Sequence, residues 1–262
     1  MIIDSHTHVF LKDMPLVPNP RHAPTYSFTV EELVATFDAH GVDRGVIAAA
    51  SPWGDYNDYV IDSLRKHPKR LRGTIIALPS IERMVLEGMA RDGIVGVRLP
   101  FISLKDMPDL DTWDWRKFLR RIADLDWHVH LHLDGPRLPL VLPQLEQSGV
   151  KIVIDHIGRP DPVLGVDSEG FKAMVRSVEK GRTWVKLSGA YRLGPQALGQ
   201  AQALCRLVGY DRMFWASDCP FVGGENDVTY AATMAWLNEA IADNAARAAV
   251  FGSNALKFYF GE

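Results

Sequence analysis

The sequence holds only two cysteines, Cys205 and Cys219, in 262 residues. Two thiols cannot build a disulfide framework, and a chain of this length buries enough core to need none. A reducing, cytoplasmic setting is therefore the expectation. An excess of charge of either sign is also missing. The 29 Lys and Arg against 32 Asp and Glu leave a net charge of -3, with no basic stripe to compensate, which argues against nucleic acid as a partner. No apolar run approaches the ~18 residues that a membrane span requires. The opening Met1-Ile2-Ile3-Asp4-Ser5-His6 lacks the basic and apolar regions of a signal peptide, so no membrane partner is expected either. GxGxxG, P-loop, CxxC and GxSxG patterns are all missing, which sets aside dinucleotide, phosphate-cradle, dithiol and serine-elbow chemistry.

What is present is an ordinary globular composition, 47% hydrophobic and 23% charged. Short β-branched segments alternate with longer amphipathic ones. Strand candidates begin near Ile2, Gly45, Gly73, Ile94, His128, Lys151, Thr183 and Met213. Between them, Thr29 and Glu32 form a capping-box pair ahead of a helix over Val30 to His40, which Gly41 ends. Glu82 to Arg91 and Trp113 to Leu125 read as helices, and Tyr230, Met234, Leu237 and Ile241 carry helical spacing near the end of the chain. This alternation predicts an α/β fold, a single (β/α)8 barrel spanning residues 1–262, rather than a doubly wound sheet, whose Gly-rich first turn is absent. The first connection, Val9 to Ser27, is long and holds Pro15, Pro18, Pro20 and Pro24. It predicts a functional loop over the barrel mouth.

Barrel chemistry gathers at the C-terminal ends of the strands, and the reactive residues follow that rule. Six of the nine histidines fall on three strand candidates: His6 and His8, then His128, His130 and His132, then His156. His6 and His8 are two apart and share a face, which suits a common metal or two donors on one substrate oxygen. His132 is placed near the mouth and His128 at the bottom, with His130 between a structural and a supporting role. Asp155 and His156 are neighbours on a strand, so one should point outward, and His156 is expected to face in. Asp218 ends the last strand and is read as the general base; capping of the next helix is the alternative reading. Arg98, Arg159 and Arg192 at three strand ends predict an anionic substrate. Tyr191 sits beside Arg192, and Trp53 is expected to face substrate from the loop after the second strand.

The HxH on the first strand, the histidines on the fifth and sixth and the aspartate on the eighth resemble the amidohydrolase superfamily. HVHLHLDG, KIVIDHIGRPD, TWVKLSGAYRL and FWASDCP, with MIIDSHTHVF, RHAPTYSFT and MARDGIVGVRLPF, are similar to its branch of 2-pyrone-4,6-dicarboxylate lactonase-like proteins, over nearly the whole chain. The resemblance implies a barrel hydrolase that opens lactones, in aromatic or sugar-acid catabolism. It matches His6, His8, His156 and Asp218 to the catalytic set, and Ser51, Arg98, Arg159 and Arg192 to substrate-binding positions. His132 stands where relatives carry Tyr or His. Departures are visible: no second Arg follows Arg98, His22 replaces an aromatic in Arg21-His22-Ala23-Pro24, and Asp218-Cys219-Pro220-Phe221 lacks the usual Trp and His. They predict a less anionic or differently shaped lactone.

The expected reaction is hydrolysis of a small carboxylated lactone, with Asp218 as base, His6, His8 and His156 on the carbonyl, and the arginines, Ser51, His132, Tyr191 and Trp53 around the substrate. No cofactor is expected to be required. A divalent metal such as zinc, held by His6, His8, His132 and Asp218, is the alternative. Rival functions are a metal-dependent decarboxylase or lyase, a lactone isomerase, and a barrel that binds an anion without turning it over.

Overall fold

A computed structural model describes residues 1–262. Eight strands follow one another around a sheet in the order of the sequence: β1 (Ile3–Thr7), β2 (Arg44–Ala48), β3 (Leu71–Ile75), β4 (Ile94–Leu99), β5 (His128–Leu131), β6 (Lys151–Ile154), β7 (Thr183–Leu187) and β8 (Met213–Trp215). Every neighbouring pair from β1–β2 to β7–β8 is parallel. Parallel pairing needs a crossover each time, and helices supply it: α1 (Val30–His40), α2 (Asp58–Lys66), α3 (Arg83–Arg91), α4 (Trp113–Asp124), α5 (Leu138–Gln147), α6 (Glu169–Glu179), the short α7 (Ala190–Leu193), α8 (Ala197–Val208), α9 (Tyr230–Ala240) and α10 (Asn244–Ala248). The predicted eight-strand barrel is the observed one.

Local chemistry sets the element ends. Thr29 and Glu32 form the predicted capping box, and Gly41 closes α1 in the left-handed region at φ 67°. Strand and helix side chains meet between sheet and outer ring in one continuous core, which includes Phe37, Phe118, Leu145 and Trp215. A second, small cluster of Ile3, Val46, Val153, Phe214, Ala255 and Tyr259 fills the bottom of the barrel. Ala255 and Tyr259 belong to the chain end that follows α10, so this end plugs the lower opening and leaves chemistry to the upper one.

Closure of the ring falls on the segments that carry the reactive residues. The Asp218 amide donates to the His6 carbonyl at 3.0 Å, and the His8 amide donates to Cys219 at 2.8 Å. The backbones of β1 and of the residues just past β8 are thereby locked together. The β1–β2 register also shifts between Asp4 and Thr7, a bulge of the kind that re-aims side chains beside a site.

Candidate active site

Above the barrel plug, buried polar side chains fill the lumen. His6, His130, Asp155, Lys186 and Asp218 are each no more than 2% exposed. Buried charges persist only when paired, and the pairing here is dense. Asp155 Oδ1 receives His6 Nδ1 at 3.1 Å and the His130 Nε2 contact, while Oδ2 receives Arg98 at 3.2 Å. Lys186 Nζ lies 3.0 Å from His130 Nε2 and 3.3 Å from His6 Nδ1. Burial would push the Asp155 carboxyl up, but His130, His6 and Lys186 hold it well below the usual range. Burial brings the Lys186 amine down to about 8, against the pull of Asp155.

This corrects the expectation that only one of Asp155 and His156 faces the site. Asp155 is extended, at φ -74°, and points into the lumen. The chain then turns through the left-handed region at His156 (φ 50°) and Ile157 (φ 56°), breaking strand alternation and bringing the His156 ring back over the mouth. Its Nδ1 meets Ser188 Oγ at 2.9 Å, and its Nε2 lies 3.8 Å from Asp218 Oδ2. A non-glycine residue in that region is strained, and such strain concentrates at functional sites. Asp218 is another case, at φ 70°.

Asp218 is the centre of the upper layer. Its Oδ2 accepts Tyr191 OH at 2.7 Å and Arg192 Nε at 2.7 Å. Its Oδ1 lies 3.5 Å from His6 Nε2 and 3.4 Å from His8 Nε2, and those two nitrogens are 3.1 Å apart. Burial alone would raise the Asp218 pKa; His156, Arg192 and the hydrogen bond from His8 take it well below the ordinary carboxylate value. Burial brings His156 down to about 4 and His6 and His132 well below their usual value.

Tautomers follow from the partners. His8 Nδ1 meets the Ala48 carbonyl at 2.7 Å, and a carbonyl only accepts, so that nitrogen carries hydrogen. His6 Nδ1 faces the Asp155 carboxylate, so it carries hydrogen when it donates there. Two imidazole lone pairs and one carboxylate oxygen then converge, and a single positive charge, a proton or an ion, has to sit among them. The three atoms fit a divalent ion as ligands. His156 can join His6 and Asp218 in such a group, as can His130 with His6 and Asp155. His132 belongs to neither group; its Nδ1 faces Arg98 at 3.3 Å and its Nε2 is buried without a partner.

A cleft opens over Asp218 and is lined by His8, Ser51, Trp53, Arg98, His132, His156 and Arg192, together with Arg21 and His22. Ser51, Trp53, Arg98 and His132 are thus where the sequence placed them, and Trp53 is held by stacking on Phe10 at 4.7 Å. Tyr191 and Arg159 lie outside this lining. Tyr191 spends its hydroxyl on Asp218. Arg159 lies one cavity over, its Nε on Asp134 at 3.1 Å. Arg21 went unassigned because it sits in the long Pro-rich loop, where no periodicity reports direction. Burial, and repulsion from Arg159, Arg192 and Arg98, depress its pKa, a measure of how closely the cations crowd. Arg21 brings the guanidinium groups lining the cleft to three, with Arg98 and Arg192.

An amidohydrolase family model matches residues 3–261. The 4-sulfomuconolactone hydrolase of Hydrogenophaga intermedia is 30% identical over 227 residues, covering 84% of this chain and 75% of the relative. The 2-pyrone-4,6-dicarboxylate hydrolase of Comamonas testosteroni is 30% identical over 235 residues, covering 83% and 76%. A solved structure described as a probable 2-pyrone-4,6-dicarboxylic acid hydrolase from Acinetobacter baumannii, with citric acid bound, superposes with a TM-score of 0.94 at 31% identity, over 100% of this chain and 99% of that one.

Proposed function

This chain belongs to the amidohydrolase family, and we propose from that membership that it hydrolyses the ring ester of a small carboxylated lactone. The observation that carries the reading is Asp218, ionised at the barrel mouth with one oxygen held by Tyr191 and Arg192 and the other turned toward His6 and His8. A water beside the free oxygen gives its proton to Asp218, and its oxygen attacks the lactone carbonyl carbon. Charge moves to the carbonyl oxygen, where the His156 N–H and the single proton shared by His6 and His8 stabilise it as an oxyanion hole does. The ring C–O bond then breaks, and the proton on Asp218 passes to the leaving ring oxygen. Arg21, Arg98 and Arg192 hold substrate oxygens and fix the angle of attack.

His6, His8 and Asp218 would also hold a divalent ion, which would supply Lewis-acid polarisation of the carbonyl. We propose that none is required. Three guanidinium groups line the cleft and Lys186 lies beneath His6, so the site already supplies the positive field that a dication would add, and would repel one. We also assign the protein to the cytoplasm. Both thiols are buried and unpaired, as a reducing compartment keeps them, and no helix is long and apolar enough to cross a membrane.

The test is proton release from a panel of mono- and dicarboxylate lactones, with wild-type and Asp218→Asn protein. Ring opening that is lost in the variant supports the reading. Silence across the panel, or CO2 release from an aromatic carboxylate instead, overturns it.

A further inference from the structure

Arg192 is a wall between two spaces. On one side lies the cleft over Asp218, with a volume of about 50 Å³. On the other lies a cavity of about 360 Å³, between the loop that follows β6 and the start of α8, which no step of the reaction above uses. Because Arg192 borders both, a long substituent on a ring held against Asp218 can reach the second space past it.

The second cavity is polar and incompletely satisfied. Arg159 lines it with Nε committed to Asp134, but its NH1 is buried without a partner. Arg192 uses Nε on Asp218 and one terminal nitrogen on the Val222 carbonyl at 3.1 Å. From the opposite side α8 presents Gln200, and Gln196 lies one turn earlier on the same face. Gln200 is 4% exposed, yet its Oε1 has no hydrogen-bond partner. Buried polar atoms are almost always paired, and an exception calls for a reason.

The unused groups describe their ligand. Guanidinium nitrogens donate to a carboxylate, and an amide oxygen takes a hydroxyl proton. We infer that this cavity is a subsite for a hydroxylated carboxylate arm, so that the lactone opened here is of the sugar-acid type, with hydroxyls along the chain that carries its carboxylate. The inference rests on the lactonase reading and adds the class of substituent.

The experiment compares two lactones of equal charge: galactaro-1,4-lactone, whose carboxylate arm is hydroxylated, and muconolactone, whose arm is not. Wild-type protein should favour the first in kcat/KM. In Gln200→Leu that preference should fall about tenfold, the scale of one lost hydrogen bond to a ligand. Gln196→Leu, on an exposed position, should move it in the same direction and guards against a folding defect in the first variant. In parallel, calorimetry measures binding of the galactarate dianion to Asp218→Asn protein, where Gln200→Leu should weaken it by a similar factor. No preference in the wild type, or a preference and a Kd that both variants leave unchanged, overturns the subsite. If neither lactone opens but galactarate binding falls in Gln200→Leu, the subsite stands and the lactonase reading falls. If neither lactone opens and galactarate does not bind, both are overturned.

Discussion

Arg192 Nε and Tyr191 OH reach the same oxygen of Asp218, each at 2.7 Å. Two consecutive residues of α7 thereby decide which oxygen of the carboxylate is free. The remaining one faces His6 and His8, the direction from which a water would have to be deprotonated. Asp218→Asn keeps the shape and removes the base. Turnover should fall about 10²–10⁴-fold, the span of general-base contributions, with KM and the circular dichroism spectrum little changed. Tyr191→Phe leaves Arg192 in place and should cost about tenfold in kcat, the value of one hydrogen bond to a charged group. A Tyr191→Phe protein with unchanged kcat would show that Arg192 alone orients the base.

His156 depends on a glycine. Gly189 sits at φ 67°, and a Cβ added there would lie 2.7 Å from His156 Nδ1 and 2.9 Å from its Cγ. The His156 ring is anchored to Ser188, so it cannot recede without losing that bond. Gly189→Ala should cost about 1–3 kcal/mol of stability through overpacking and lower kcat as well, because the displaced ring no longer faces the carbonyl. Gly41→Ala is the matched control. It has a similar φ of 67° with nothing within 4 Å of the new Cβ, and should lose about 1 kcal/mol with kcat intact. Thermal melts and steady-state kinetics on both variants separate the backbone effect from the clash.

Stability should depend on pH through the barrel bottom. His128 donates from Nδ1 to the Val95 carbonyl at 2.9 Å and packs against Phe258 and Tyr259. Burial, with Lys186 adding repulsion, brings its pKa down to about 3 from the usual 6.5. The unfolded chain then binds a proton that the native state refuses. The contribution is fully present above about pH 6.5 and is lost as pH falls toward 3, worth about 5 kcal/mol across that window. Other buried imidazoles push the same way, so the measurement is a difference. Denaturant unfolding of wild type and His128→Asn between pH 4 and 8 should show a shallower pH slope in the variant. Parallel slopes would mean that His128 is protonated in the native state.

The parts of this molecule that repeat were legible in its sequence. Strand periodicity, the Thr29–Glu32 capping box and the rule that barrel chemistry sits at strand ends together placed His6, His8, His132, His156, Arg98 and Asp218 at one mouth. What stayed hidden depends on single backbone angles or on loop paths. Alternation along β6 forbade Asp155 and His156 from sharing a side, and only the positive φ at His156 permits it; nothing in a histidine announces that angle. Arg21 lies on a loop whose course is set by packing, so its arrival in the cleft beside Arg98 and Arg192 carried no periodic signal. The neighbours Tyr191 and Arg192 both reach Asp218, but a hydroxyl that orients a base and one that binds substrate look the same in one dimension.

The charge shared by His6, His8 and Asp218 yields the last prediction. Their three converging atoms are 3.1–3.5 Å apart, close to the roughly 3.3 Å between ligands around a tetrahedral zinc ion with bonds of about 2.0 Å. Spacing therefore admits an ion, and electrostatics decides. An incoming dication would meet Arg192, already bonded to the same carboxylate, and Arg98 and Lys186 on the layer below. A single proton on one imidazole satisfies the same lone pairs with half the added charge. Protein purified without chelator, then dialysed against one, should keep kcat within a factor of about two, whereas a catalytic zinc supplies several kcal/mol of the barrier reduction and its loss abolishes turnover. Metal analysis on the same samples gives the opposite outcome its form: one zinc per chain, removed in step with activity and restored with it, would mean that the ion rather than the proton holds His6, His8 and Asp218 together.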